Sequence, residues 1–244
     1  MVIPARALNS LIAASAMLAI AAAPWALDQR WMLYTFKPLT TALILLYAWP
    51  RGRQEPYTRL ALLIGLVLSL LGDIALMWPQ QGFLPGLVAF LLGHIAYMVA
   101  FTRQHRFLAE PAVLAFYALV AGAVLAFLWA FIPYPLRVPV ACYVLALTAM
   151  SAQAAVVGIA SRGEDRRRGR LLMLGGVLFI ASDVLLAINK FAQPLPAAGL
   201  WILTTYWVAQ WCIASWLKPA SVLAGSAAPQ EGAGLGGPPP ATSP

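Results

Sequence analysis

The chain has 244 residues, of which 62% are hydrophobic and 10% charged, and its mean hydropathy is +0.80. A soluble domain carries about 25% charged residues, so this composition excludes one and describes a polytopic membrane protein. The net charge of +8 does not signal a nucleic-acid partner either, because the arginines stand in short connections between apolar runs, four of them between Arg162 and Arg168, and not along a groove-sized face.

A helix needs about 20 mostly apolar residues to cross about 30 Å of hydrocarbon. Eight stretches meet that requirement: Leu8 to Leu27, Trp31 to Trp49, Arg59 to Trp78, Phe83 to Thr102, Pro111 to Ile132, Arg137 to Ala160, Arg170 to Asn189 and Ala198 to Leu217. None shows the apolar/polar alternation of a membrane β-barrel, so the expected fold is an all-α bundle of eight transmembrane helices over residues 1–219. The first stretch also resembles a signal peptide, with Arg6 as its basic region and Ala21-Ala22-Ala23 as a cleavage-like site. Its length, the following Pro24 and the charge distribution favour a retained helix. Residues 220–244 are rich in Gly, Pro, Ala and Ser with Glu231 the one charge, a composition that builds no core and reads as a disordered tail.

With eight spans, one side collects Arg6, Arg51, Arg53, Arg59, Arg103, Arg106, Arg162, Arg166, Arg167, Arg168, Arg170 and Lys218, twelve cations, against Arg30, Lys37, Arg137 and Lys190 on the other. The positive-inside rule then puts both termini in the cytoplasm. Trp25, Trp31, Trp49, Trp78, Trp129, Trp201 and Trp216 fall near span ends, as an interfacial aromatic belt requires, whereas Trp207 and Trp211 lie mid-span. Cys142 and Cys212 sit inside spans without His or Cys at ligand spacing, so neither a disulfide framework nor a metal site is expected.

The third and seventh spans resemble each other: Leu70-Leu71-Gly72-Asp73-Ile74-Ala75-Leu76 against Ile180-Ala181-Ser182-Asp183-Val184-Leu185-Leu186. A similar offset sets Gly93-His94 opposite Thr205-Tyr206. Two four-helix halves, about 1–108 and 109–219, would share one orientation because four is even, giving a parallel pseudo-repeat.

Asp73 and Asp183 are the acidic residues within spans, and intramembrane acids ordinarily face a bundle interior, a cavity or a partner charge. Each lies about 20 Å from the cytoplasmic start of its helix at 1.5 Å per residue, so the two share a level. Lys37 and Lys190 approach that level from the opposite surface, and the seven-residue spacing of Asp183 and Lys190 puts them on one helix face. Thr40 and Thr41 follow Lys37 by a turn, Asn189 neighbours Lys190, His94 shares a face with Tyr97 and Tyr206 with Gln210, and Tyr143 enters from the sixth span. For Gln210 and Tyr143 a helix-bridging hydrogen bond is the simpler role, and Gly93 beside His94 is a packing signal. A purely structural ion pair is a poor explanation for the aspartates, since buried pairs contribute little net stability.

Two carboxyls in a low-dielectric site need not share one protonation state, which equips them for acid-catalysed hydrolysis. No G-x-S-x-G elbow, HExxH helix, P-loop or dinucleotide fingerprint is present. The strings Phe36-Lys37-Pro38-Leu39-Thr40-Thr41, Leu71-Gly72-Asp73, Gly93-His94-Ile95-Ala96-Tyr97, Ala181-Ser182-Asp183-Val184-Leu185-Leu186-Ala187 and Tyr206-Trp207-Val208-Ala209-Gln210 resemble, in this order, those of the YhhN family of lysoplasmalogenase-like integral membrane proteins. That resemblance extends from about Trp31 to Leu217 and implies hydrolysis of the vinyl ether bond of a lysoplasmalogen, yielding a fatty aldehyde and a glycerophospho-alcohol. On this reading Asp73 and Asp183 are the catalytic acids and bases, and Lys37 and Lys190 hold the phosphate of a lysophospholipid whose chain lies between helices. His94, Tyr206, Gln210 and Asn189 position water or glycerol, and Tyr143 and Thr41 complete the substrate-binding set. No metal or cofactor is required.

The alternative is a proton-coupled small-molecule or lipid transporter using the same Asp/Lys cluster, which would show paired Gly/Pro helix breaks in both halves, with Gly175-Gly176 and Gly65 as the candidates. A lipid-binding protein without turnover is a third reading. The Ala-rich, Arg-over-Lys composition points to a bacterial source of high G+C content, and hence to the inner membrane.

Overall fold

The computed structural model describes residues 4–23, 26–78, 80–107 and 109–219. Pro24, Trp25 and the expected tail, 220–244, lie outside them. Among the described residues there are eight α-helices and no strands: α1 (Ala5–Ala21), α2 (Arg30–Ala48), α3 (Pro56–Ala75), α4 (Phe83–Thr102), α5 (Pro111–Leu128), α6 (Arg137–Ala160), α7 (Arg166–Ala187) and α8 (Ala198–Trp216). Single turns of 3-10 helix precede α6 and α7, and α7 runs on into a π turn at Ile188–Ala192. Five helical segments, those of α3 to α7, are long and apolar enough to cross a membrane by length and composition, and α1 is shorter.

The helices begin where the sequence supplies a start. Pro56 and Pro111 occupy the first turns of α3 and α5, where a missing N–H costs nothing. For the same reason α3 starts three residues before the expected Arg59. At the far end of α1 the helix stops at Ala21, not Leu27, and the chain turns through Asp28 at φ 48°.

Packing closes α2, α3, α4, α6, α7 and α8 into a ring, with α1 outside against α2 and α8, and α5 outside against α6. Small residues let these helices approach. The Tyr97 ring of α4 lies over Gly65 of α3 and the Phe90 ring over Gly72, while Gly175 faces the Ala209 carbonyl and Cys212 of α8. Gly176 meets Ser151 of α6, whose hydroxyl donates to the Gly176 carbonyl at 3.1 Å. Gly175 and Gly176 are therefore packing positions within a continuous α7. Polar pairs tie the outlying α1 to the ring: Ser15 to Thr40 at 2.8 Å, and the Trp211 indole to Asn9 at 3.1 Å. Trp207 likewise donates to Thr41 at 3.2 Å, so both mid-span tryptophans are explained by an N–H that needs a partner inside the bundle.

Candidate functional site

Asp73 projects from α3 into the ring and is 2% exposed. Its Oδ2 accepts hydrogen bonds from the Thr41 hydroxyl of α2 at 2.6 Å and the Tyr206 hydroxyl of α8 at 2.8 Å. Lys37 Nζ lies 3.7 Å from Oδ1 and donates to the Asp73 backbone carbonyl at 3.3 Å. The network continues through Gln210, whose amide donates to Tyr206 Oη at 3.3 Å and whose Oε1 accepts from the Tyr97 hydroxyl of α4 at 2.6 Å. Three helices, α2, α3 and α8, thus meet at one carboxylate, and α4 joins the network through Tyr97.

Asp183 belongs to a second group. It is half-buried on α7, and its Oδ2 accepts from the Tyr143 hydroxyl of α6 at 2.5 Å. Both residues line a cavity of about 100 Å³ between α4, α5, α6 and α7. Lys190, on the π turn, lines the same cavity, with Nζ 4.9 Å from the centroid of the Phe83 ring. The remaining wall is almost wholly aliphatic and aromatic.

Between the two groups lies a layer of rings. Tyr206 packs edge-on against Phe90 at 5.8 Å and Phe179 at 5.6 Å. His94 packs against Phe179 at 4.7 Å and Tyr143 at 5.2 Å. His94 is fully buried, and neither ring nitrogen has a hydrogen-bond partner among the described residues. Buried polar atoms are ordinarily paired, which makes this imidazole, set between the two carboxyl groups, the least satisfied polar side chain of the interior.

The structure therefore gathers Lys37, Thr41, Tyr206 and Gln210 around Asp73, and Tyr143 and Lys190 around Asp183, with His94 between. Asn189 stands apart from both: its Oδ1 accepts the Leu195 backbone N–H at 2.9 Å, closing the turn that leads into α8. Phe90 and Phe179, which separate the groups, carry no polar signal in the sequence; only their spacing of one turn from His94 and from Asp183 hints at a shared face. Among the described residues no group of three or more His, Cys, Asp or Glu is placed to hold a metal ion.

Apolar helices of membrane-spanning length, enclosing two hydrogen-bonded carboxyl groups, define a multi-pass integral membrane protein with a polar interior. The YhhN family model matches residues 32–217, and the chain belongs to that family. Lysoplasmalogenase TMEM86B of Homo sapiens is 34% identical over 180 residues, 74% of this chain and 73% of that protein. Lysoplasmalogenase TMEM86A of Homo sapiens is 36% identical over 153 residues, 62% of each. An uncharacterized membrane protein YhhN of Escherichia coli O157:H7 is 39% identical over 103 residues, 41% of this chain and 47% of that one. No solved structure matches the chain.

Proposed function

We propose that this protein hydrolyses the vinyl ether bond of lysoplasmalogen-type lysophospholipids by acid–base catalysis at its two intramembrane aspartates, Asp183 transferring the protons and Asp73 supplying the fixed charge beside it. The observation that carries the reading is the Tyr143–Asp183 pair on the wall of an apolar cavity that also receives Lys190, in a chain similar to two named lysoplasmalogenases.

Vinyl ether cleavage begins with proton transfer to the β-carbon, which leaves an oxocarbenium ion at the α-carbon. Asp183, open to the cavity, delivers that proton, and its carboxylate then faces the cation. Water adds to the α-carbon and returns a proton to the carboxylate. The resulting hemiacetal breaks its bond to the glycerol oxygen, which takes up a proton as the aldehyde forms. One water is consumed, and the products are a fatty aldehyde and a glycerophospho-alcohol. Asp73, already holding two hydroxyl donors and Lys37, acts as the fixed negative charge that orients Tyr206 and offsets the cation across the ring layer. Lys190 and, from the other group, Lys37 attract the phosphate.

All eight helices span the bilayer on this reading, with both termini and the twelve cations in the cytoplasm of a bacterial inner membrane. The outlying positions of α1 and α5, the first helix of each half, support the parallel pseudo-repeat. The test is to supply an alkenyl lysophospholipid to the detergent-purified protein and assay aldehyde. Undiminished release by the double variant Asp73→Asn, Asp183→Asn sinks the mechanism, and cleavage of an ester lysolipid but not the vinyl ether sinks the substrate. Flux of substrate into sealed vesicles without aldehyde would identify a transporter instead.

A further inference from the structure

We infer that the cavity between α4, α5, α6 and α7 is the seat for the first few carbons of the substrate's apolar chain, and that Ala121 and Val124 of α5 set what it accepts. This rests on the proposed hydrolysis and adds to it where the chain lies and which carbons are read.

Position along the helix axis supports it. From Lys190 down α7 to Asp183 is seven residues, on the order of 10 Å at about 1.5 Å per residue. In an alkenyl lysophospholipid seven bonds separate phosphorus from the β-carbon, on the order of 9 Å when extended with bonds of about 1.5 Å. A phosphate at Lys190 therefore brings the double bond level with Asp183. Below that level the cavity continues past Val144 to Thr148 on α6 and Ile180 on α7, another turn or so of helix. An apolar cavity of about 150 Å³ accepts benzene; this one, at about 100 Å³, has room for a few methylenes and not for a whole chain.

The rest of the chain has a way out past α5. This helix contributes Val120, Ala121 and Val124 to the cavity wall, yet only Leu128 of its residues is buried, and Phe116 and Leu119 are 63% and 73% exposed. A chain leaving along α5 passes directly into lipid. The seat should therefore discriminate against bulk on the carbons next to the double bond while tolerating different total lengths.

A second apolar hollow competes for the role. The groove between α1 and α8, about 660 Å³, is larger and is lined by Met17, Trp207 and Trp211. Its lining includes neither aspartate, so a chain seated there would leave the double bond beyond Asp183.

The experiment uses the full chain in nanodiscs with an uncleavable alkyl ether lysophospholipid carrying a diazirine on the fourth carbon, irradiated and mapped by mass spectrometry. Labelling is expected on α5 to α7 at the cavity wall, reduced about tenfold by Val124→Trp and by Ala121→Leu. Gly122→Leu, whose side chain points to open space, should leave it unchanged. Thermal unfolding of each variant separates a filled cavity from a misfolded chain, and two variants at different depths keep the test alive if one fails to fold. Labelling centred on Met17 and Trp211, or labelling of α5 indifferent to both fillers, would overturn the inference. Aldehyde release without cavity labelling removes the seat and leaves the reaction; cavity labelling without aldehyde release from the alkenyl lipid leaves the seat and removes the reaction.

Discussion

At the scale of single residues, the two aspartates differ in what surrounds them, and their variants should differ accordingly. Asp183 has one hydroxyl donor and an open cavity, so Asp183→Asn should cut aldehyde release by about 10²- to 10⁴-fold, the usual size of a general acid–base contribution, with little change in thermal unfolding. Asp73 is the hub of a buried network with Lys37 at 3.7 Å. Removing its charge leaves a largely buried ammonium without its counterion, which costs about 3 kcal/mol, so Asp73→Asn should lower the unfolding temperature as well as activity. His94 makes the opposite case. Two ring nitrogens without a hydrogen-bond partner among the described residues, in a fully buried position, destabilise the fold by about 1 kcal/mol or more, and a phenyl ring keeps the aromatic packing on Phe179 and Tyr143 without them. His94→Phe should therefore raise the unfolding temperature and slow turnover, the signature of a side chain kept for its chemistry. If that variant is less stable and equally active, His94 has no functional part.

At the scale of elements, the contact between α3 and α4 fixes the ring layer through two glycines. A Cβ at Gly72 would come within 2.5 Å of the Phe90 ring, and Phe90 both packs on Tyr206 and lines the cavity. Gly72→Val should cost about 1–3 kcal/mol, as overpacking usually does, and should impair aldehyde release more than its stability loss explains, because the displaced ring moves into the cavity; thermal unfolding and initial rates on the same preparation measure both. This coupling also shows what the sequence made legible. Helix positions followed from unbroken apolar runs, and the site residues stood out because a polar side chain in such a run has few reasons to be there. Their grouping did not follow. A shared depth for Asp73 and Asp183 is a statement about one axis, whereas two separate hydrogen-bond groups depend on which helices become neighbours, and apolar Phe90 and Phe179 between them look like any core residue. Asn189 misled for a related reason: its position beside Lys190 suggested the site, but the turn after the π segment takes its carbonyl.

At the scale of the whole molecule, the arrangement has a direction. Lys37 and Lys190 enter from the arginine-poor end, and the cavity reaches that end through Phe83, Leu128 and Val140, the first residue of α4, the last of α5 and one near the start of α6. The opposite end carries Arg51, Arg162 and Arg168, with the α2–α3 connection tied to the second residue after α8 by the Gly52 N–H to Lys218 carbonyl bond at 2.8 Å. If the twelve cations are cytoplasmic, the site opens away from the cytoplasm, and substrate would be drawn from the outer leaflet of the membrane. In a background of Cys142→Ser and Cys212→Ala, a cysteine placed by Tyr134→Cys, at a side chain 82% exposed before α6, should react with a membrane-impermeant maleimide in intact spheroplasts. One placed by Arg53→Cys, in the connection between α2 and α3, should react only after the membrane is opened. The reverse pattern would turn the molecule over and move substrate entry to the cytoplasmic leaflet, and labelling of both from one side would mean that an even number of the three intervening helices, α3, α4 and α5, cross, which the closed ring of neighbours does not accommodate.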